Sequence, residues 1–177
     1  MRVTAAFLVL TCLAAATAAA QEKQSVEIGT SLGVTTLSRS GSTATVVGAP
    51  ASLGPAAQPS VYATIFATPS VTIEPQLGLT HVSGSGSSLT MVDMGAQVGY
   101  LFTPAERGSP YLAANAAYQT VSGFSSVHGV GVGGALGYRV RIGRGFAVRL
   151  EGRYRHWMGD FDGLNEIGFG IGLGGII

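Results

Sequence analysis

Apolar and polar residues alternate along most of this chain with a period of two, and the alternation is cleanest from Val127 to Trp157. Within Val127 to Ile142, His128, Val130, Val132, Leu136, Tyr138, Val140 and Ile142 share one parity, and Gly129, Gly131, Gly133, Ala135, Gly137, Arg139 and Arg141 share the other. After the tight Gly143-Arg144 turn, Phe146, Val148, Leu150 and Tyr154 alternate with Arg149, Glu151, Arg153 and Arg155. Period two is the strand period. One face of this hairpin is greasy; the other is glycine and ionised. A soluble sheet also alternates, so length and charge choose the environment. Strands this long, tilted by about 45°, cross a bilayer core, and an outer face without lysine is poorly suited to water.

The same pattern recurs on both sides of the hairpin. In Val26 to Leu37, Val26, Ile28, Leu32 and Val34 oppose Glu27, Gly29, Ser31 and Gly33; in Val71 to Val82, Val71, Ile73, Leu77 and Leu79 point outward and Thr72, Glu74, Gln76 and Gly78 inward. Pro75 cannot donate to a ladder, which predicts a bulge or a missing bond there. Leu89 to Phe102 turns Val92, Met94, Ala96, Val98, Tyr100 and Phe102 outward, with Asp93, Gly95, Gln97 and Gly99 inward. Tyr111 to Val121 is a strand of small residues, and Leu164 to Ile177 sets Ile167, Phe169, Ile171, Leu173 and Ile177 against Glu166, Gly168, Gly170, Gly172 and Gly174. Val61 to Thr68 is a strand of undecided parity, since Tyr62 and Phe66 compete with Val61 and Ile65.

That makes eight strands. An even number of antiparallel strands can close and leave no edge. The expected fold is all-β, an eight-stranded antiparallel up-and-down transmembrane β-barrel. The connections after the odd strands are polar and include the long stretch 38–60; those after the even strands are tight or proline-bound. Thr43 to Val47 is a candidate extension of the first hairpin. Short periplasmic turns and longer outer loops produce this asymmetry, placing both termini in the periplasm. Aromatic residues then form two belts, Phe66, Tyr100, Phe102, Tyr111, Tyr138 and Phe146 on the periplasmic side and Tyr118, Phe124, Tyr154 and Trp157 on the outer side.

Composition agrees with a membrane barrel. Charged residues are 11% of the chain against about 25% in an average soluble domain, and mean hydropathy is +0.38, yet beyond the first residues no apolar run is long enough for a membrane helix. Residues 1–20 read as a cleavable signal peptide: Arg2, an apolar run to Ala16, then Ala18-Ala19-Ala20. Residues 21–177 are the barrel. Its single lysine, Lys23, leaves no basic surface for nucleic acid.

Strand number, loop asymmetry and the glycine-rich stretch Glu166 to Ile177 together resemble the small eight-stranded outer membrane proteins of Gram-negative bacteria, the group that includes the transmembrane domain of outer membrane protein A and outer membrane protein X. The resemblance implies a non-enzymatic barrel, structural or presenting loop 38–60 to a surface partner. It also implies outer membrane lipid as its surroundings and insertion by the barrel assembly machinery, which reads a terminal aromatic; the last residue here is Ile177, a departure from that pattern.

Eight strands enclose a space that side chains can fill. By parity its ionised residues are Arg139, Arg141, Arg149, Arg153 and Arg155 against Glu27, Glu74, Asp93, Glu151 and Glu166. These charges cancel, as expected of an internal salt-bridge network; an ion-selective passage shows an excess of one sign. By depth, Arg139 and Arg141 belong with Glu27 and Glu74, and Arg153 and Arg155 with Asp93 and Glu166. A narrow passage for small or apolar solutes, through the lumen or a wall gap near Pro75, is the alternative function. Some barrels of this size resemble lipid A-modifying enzymes that use rim His and Ser. Ser126 and His128 share an outward parity, with His81 and His156 at similar depth, but the order is reversed and Asp160 and Asp162 have no fixed relation to His128. No catalytic residue is therefore expected. No metal or cofactor is expected either: the histidines lack paired spacing and the glycine runs lie inside strands.

Overall fold

The structure, a computed structural model, describes residues 26–47, 60–84, 87–104, 107–123, 126–143 and 145–177. The expected signal peptide, Lys23, Phe124 and most of the long first loop lie outside these residues. The described residues form nine strands, β1 Val26–Arg39, β2 Ser42–Val47, β3 Ser60–Phe66, β4 Val71–Gly84, β5 Ser87–Leu101, β6 Gly108–Ser122, β7 Ser126–Ile142, β8 Phe146–Gly159 and β9 Asn165–Ile176. Every neighbour pairing is antiparallel, and β9 returns to β1 to close the sheet. β2 and β3 hydrogen-bond to successive stretches of the same β1 edge, Val34–Arg39 and Val26–Ser31, so they occupy one position in the wall. The barrel is therefore eight-stranded.

The start of the expected long loop is thus ordered as a hairpin. Ser40 and Gly41 both have positive φ, 46° and 85°, the backbone of a two-residue type I′ turn. It pairs Arg39 with Ser42 and carries Thr45 back onto Thr36, their hydroxyls 3.1 Å apart. The polar stretch Ser83 to Ser88 reads by composition as a loop, yet β4 and β5 stay paired out to Gly84 and Ser87. The β7–β8 turn uses Gly143 at φ 64°.

At Pro75 the register is regular on both sides, with no bulge. Tyr62 pairs with Gln76 and Ile65 with Ile73, but the β3–β4 pairs between them are missing, as the absent N–H of proline requires. The β5 side of Pro75 is intact, opposite Ala96.

Parity places the ionised residues and most of the strand glycines inward, with Gly134 and Gly152 as outward exceptions, and Leu32, Leu79, Val98, Leu136, Leu150, Phe169 and Leu173 outward. The undecided β3 strand puts Tyr62, Thr64 and Phe66 inside and Val61 outside. Three aromatics assigned to the belts are lumenal instead: Phe66, Tyr111 and Trp157 are all buried. Each sits on the inward parity of its strand, and Tyr111 and Trp157 lie over the bare backbone of Gly137 and Gly131. The outward aromatics among the described residues are Tyr100, Phe102, Tyr138 and Phe146 near the tight turns, Tyr118 and Tyr154 near the loops, and Phe169 between the two groups on β9.

Candidate functional site

Because β8 climbs from the turn end at Phe146 to the loop end at Gly159, its inward residues mark successive depths of the lumen. In the turn-side half the lumen holds an apolar cluster of Phe66, Leu101, Tyr111, Ala113 and Ala135. Beside it Arg139 grips Glu27 through Nε and Nη2, at 2.8 and 2.6 Å, with its guanidinium 5.1 Å from the centre of the Phe66 ring. Tyr62 donates its hydroxyl to the other oxygen of Glu27 at 3.1 Å.

One step higher, Arg149 bonds Glu74, which also accepts from Thr64 and, at 2.7 Å, from Gln76. The Arg149 guanidinium lies 3.9 Å from the centre of the Tyr62 ring, within cation–π range. Glu151 then accepts from Tyr111 at 2.7 Å and from Gln97 at 3.1 Å. Above it Glu166, fully buried, accepts from Arg153 Nε at 2.8 Å and from Trp157 Nε1 at 3.0 Å, with Arg155 Nη1 at 3.9 Å. Arg155 donates Nε to Asn115 Oδ1 at 2.9 Å. Trp157, Met91 and Leu37 are buried at the loop end, and Phe161 stands edge-on to Trp157 with ring centres 5.8 Å apart.

Two placements differ from the parity expectation. Arg141 is exposed at the turn-end mouth, because it is the next inward position beyond Arg139 toward the β7–β8 turn and lies one step past the last β6–β7 pair, Gly108–Val140. Without it, four arginines face five carboxylates in the enclosed space. Asp93 is buried within electrostatic reach of Arg155 and Arg153, but the direct contacts of those arginines described above go to Glu166 and Asn115. The neutral members of the network, Tyr62, Thr64, Gln76, Gln97, Tyr111, Asn115 and Trp157, were not singled out by charge; inward parity is the signal that finds them.

A cavity of about 30 Å³ lies beside Thr35, Arg149, Glu151 and Arg153 under Gly168, Gly170 and Gly172. That is room for about two waters and no solute. In the loop-side half, Thr80 Oγ1, Asn115 Nδ2 and both amide atoms of Gln119 are buried without a hydrogen-bond partner among the described residues.

At the rim, Asp160 and His128 do have a fixed relation, contrary to the expectation from sequence. The Asp160 carboxylate accepts the His128 backbone N–H at 2.8 Å and lies 3.3 Å from Nδ1, while the Asp160 N–H donates to the His128 carbonyl. The left-handed Gly159, φ 83°, folds Asp160 back across the strand end. No hydrogen bond joins Ser126 to His128 among the described residues. His81 pairs with Thr90 at 2.8 Å and His156 with Asn165 at 3.0 Å, so the histidines stand apart, each held by its own neighbour. No group of metal-ligating side chains occurs among the described residues.

A family model described as outer membrane protein beta-barrel domain matches residues 5–174. Among solved structures, the chain is similar to Neisserial surface protein A (NspA), with TM-score 0.60 and 13% identity over 86% of this chain and 96% of that one. It is similar also to Ail, the attachment invasion locus protein of Yersinia pestis, with TM-score 0.53 and 12% identity over 87% and 97%. Likeness at such identities concerns the fold alone. No curated protein matches the chain in sequence.

Proposed function

The chain belongs to the outer membrane protein beta-barrel domain family, and from that premise we propose that it is a closed, non-enzymatic barrel with a structural or surface-interaction role. The observation that carries this reading is the filling of the lumen. Three ion pairs, Arg139–Glu27, Arg149–Glu74 and Arg153–Glu166, cross the lumen, with an apolar cluster among them toward the turn end and Trp157 with Met91 toward the loop end. Arginines whose charges are spent on carboxylates across the same lumen hold the strands together rather than line an aqueous path. The missing β3–β4 pairs at Pro75 also support a closed wall, because Thr64, Glu74, Gln76 and Arg149 bond to one another directly behind them.

In this reading both termini and the tight turns face the periplasm. The hairpin of β1 and β2 begins the external segment 38–60, which is offered to a surface partner, and the barrel assembly machinery inserts the chain. The exposed His128–Asp160 pair fixes the strand end beside it and has no nucleophile within hydrogen-bonding reach among the described residues. Single-channel recording on the refolded protein in planar bilayers tests the closed lumen: the expected trace is flat at both polarities. Steady conductance with defined ion selectivity refutes it in favour of a narrow passage.

A further inference from the structure

The enclosed arginines are partnered, but the turn-end mouth holds two that are not paired with a carboxylate among the described residues, Arg107 and Arg141. They stand directly opposite each other where β6 and β7 leave the barrel. The Arg141 N–H donates to the Arg107 carbonyl at 2.7 Å, one step beyond the Gly108–Val140 pair. Both are exposed. Like charges facing each other across a strand pair repel, and the chain offers the two side chains no described counter-charge. A bound anion between them turns that repulsion into attraction, since two guanidinium groups present several N–H donors to the oxygens of one phosphate.

Depth says which anion. The outward neighbours of this mouth are aromatic: Tyr138, on the outer face of β7, reaches turn-ward with its hydroxyl against Gly108, and Phe102 and Phe146 are exposed at the same end. Rings in this position sit at the headgroup level of a bilayer. Arginine stems are long enough to bend from the mouth over the rim and keep their charge in that zone. The opposite end has a different charge pattern, with exposed Asp160 and Asp162 beside Arg39. We propose that Arg107 and Arg141 form a clamp for the phosphate of an anionic phospholipid in the leaflet that surrounds the tight turns. The clamp rests on the barrel's position in the membrane and not on the closed lumen, so the conductance test and the one below fail independently.

The test is lipid selectivity of the full chain refolded into phosphatidylcholine vesicles carrying a minor fraction of spin-labelled phosphatidylglycerol or, separately, spin-labelled phosphatidylcholine. The expected result is a larger motionally restricted fraction for phosphatidylglycerol, weakened by salt, and reduced by about fivefold in relative association when Arg107→Gln and Arg141→Gln are combined, the order expected for a basic contact at an anionic surface. Arg39→Gln, at the other rim, is expected to change nothing. Heat-modifiable gel mobility confirms that each variant is folded; if the double variant does not fold, each single variant carries the same comparison. Equal selectivity in wild type and Arg107/Arg141 variants, or an equal loss from Arg39→Gln, overturns the proposal. So does displacement of the labelled lipid by millimolar inorganic phosphate at constant ionic strength, because the site then takes a soluble anion.

Discussion

Replacing Arg149 by methionine tests whether the lumen is a packed plug. The side chains of Arg149 and Glu74 are 7% and 3% exposed, so the substitution leaves a carboxylate in a water-poor interior with neutral donors from Thr64 and Gln76 but no bonded counter-charge. Removing one partner of a buried pair costs about 3–5 kcal/mol, a third or more of the stability of a typical domain of about 5–15 kcal/mol. Adding Glu74→Gln removes the stranded charge while keeping one oxygen to accept from Gln76, and its amide N–H, in place of the oxygen that Thr64 donates to, can donate to the Thr64 hydroxyl. The double variant is therefore expected within about 1 kcal/mol of wild type, since trading a buried pair for neutral groups of similar volume is often near neutral. Urea unfolding in detergent micelles measures both. Trp157 is the single tryptophan and is fully buried in the lumen, so its fluorescence reports loss of the plug directly. A cost below about 1 kcal/mol for Arg149→Met, with no recovery in the double variant, means that solvent screens the pair and the plug argument is wrong.

Leu150→Arg, outward near the middle of β8, is expected to destabilise the inserted barrel by about 2–4 kcal/mol; refolding yield into vesicles checks it, and a harmless arginine means the parity of β8 is misread. Gly133→Ala brings a Cβ within 1.9 Å of the Tyr154 carbonyl, backbone that cannot swing aside, and is expected to cost about 1–3 kcal/mol in the same urea titration; Gly145→Ala, which meets nothing within 4 Å, serves as the neutral control. Gln119→Met removes two buried amide atoms that have no hydrogen-bond partner among the described residues, so it is expected to be neutral or stabilising by about 1–3 kcal/mol; a comparable loss of stability instead shows that enclosed water satisfies them.

How much of this barrel can be read from its residues depends on whether the signal is local. Alternation is local, which is why the inward sets of β4, β5, β7, β8 and β9 follow from parity alone. The hairpin at Ser40-Gly41 hid in a stretch of small polar residues because a type I′ turn needs only two left-handed positions, and Ser42–Val47 has little apolar contrast to announce a strand. What parity cannot supply is which inward residue meets which, since that requires the register between strands. Register in turn explains two of the three misplaced aromatics, Tyr111 and Trp157, together with Tyr62 and the arginines of β8, by one rule. Tyr62 is paired with Gly29, Tyr111 with Gly137, Trp157 with Gly131, Arg149 with Gly172, Arg153 with Gly168 and Arg155 with Gly133. In each case a large inward side chain stands beside a residue with none. At Gly29, Gly137, Gly131, Gly172 and Gly168 an added Cβ would meet that side chain within 3.2 Å. An eight-stranded lumen is only wide enough for side chains to fill, so long residues on one strand require bare backbone on the next. The glycines of β7 and β9 are therefore the complement of the arginines of β8, and their spacing is set by the network they make room for. Arg139 marks the limit of the rule: its neighbours in register are Ser109 on β6 and Arg149 on β8, with no glycine beside it, and it is held in the lumen instead by Glu27 and the face of the Phe66 ring.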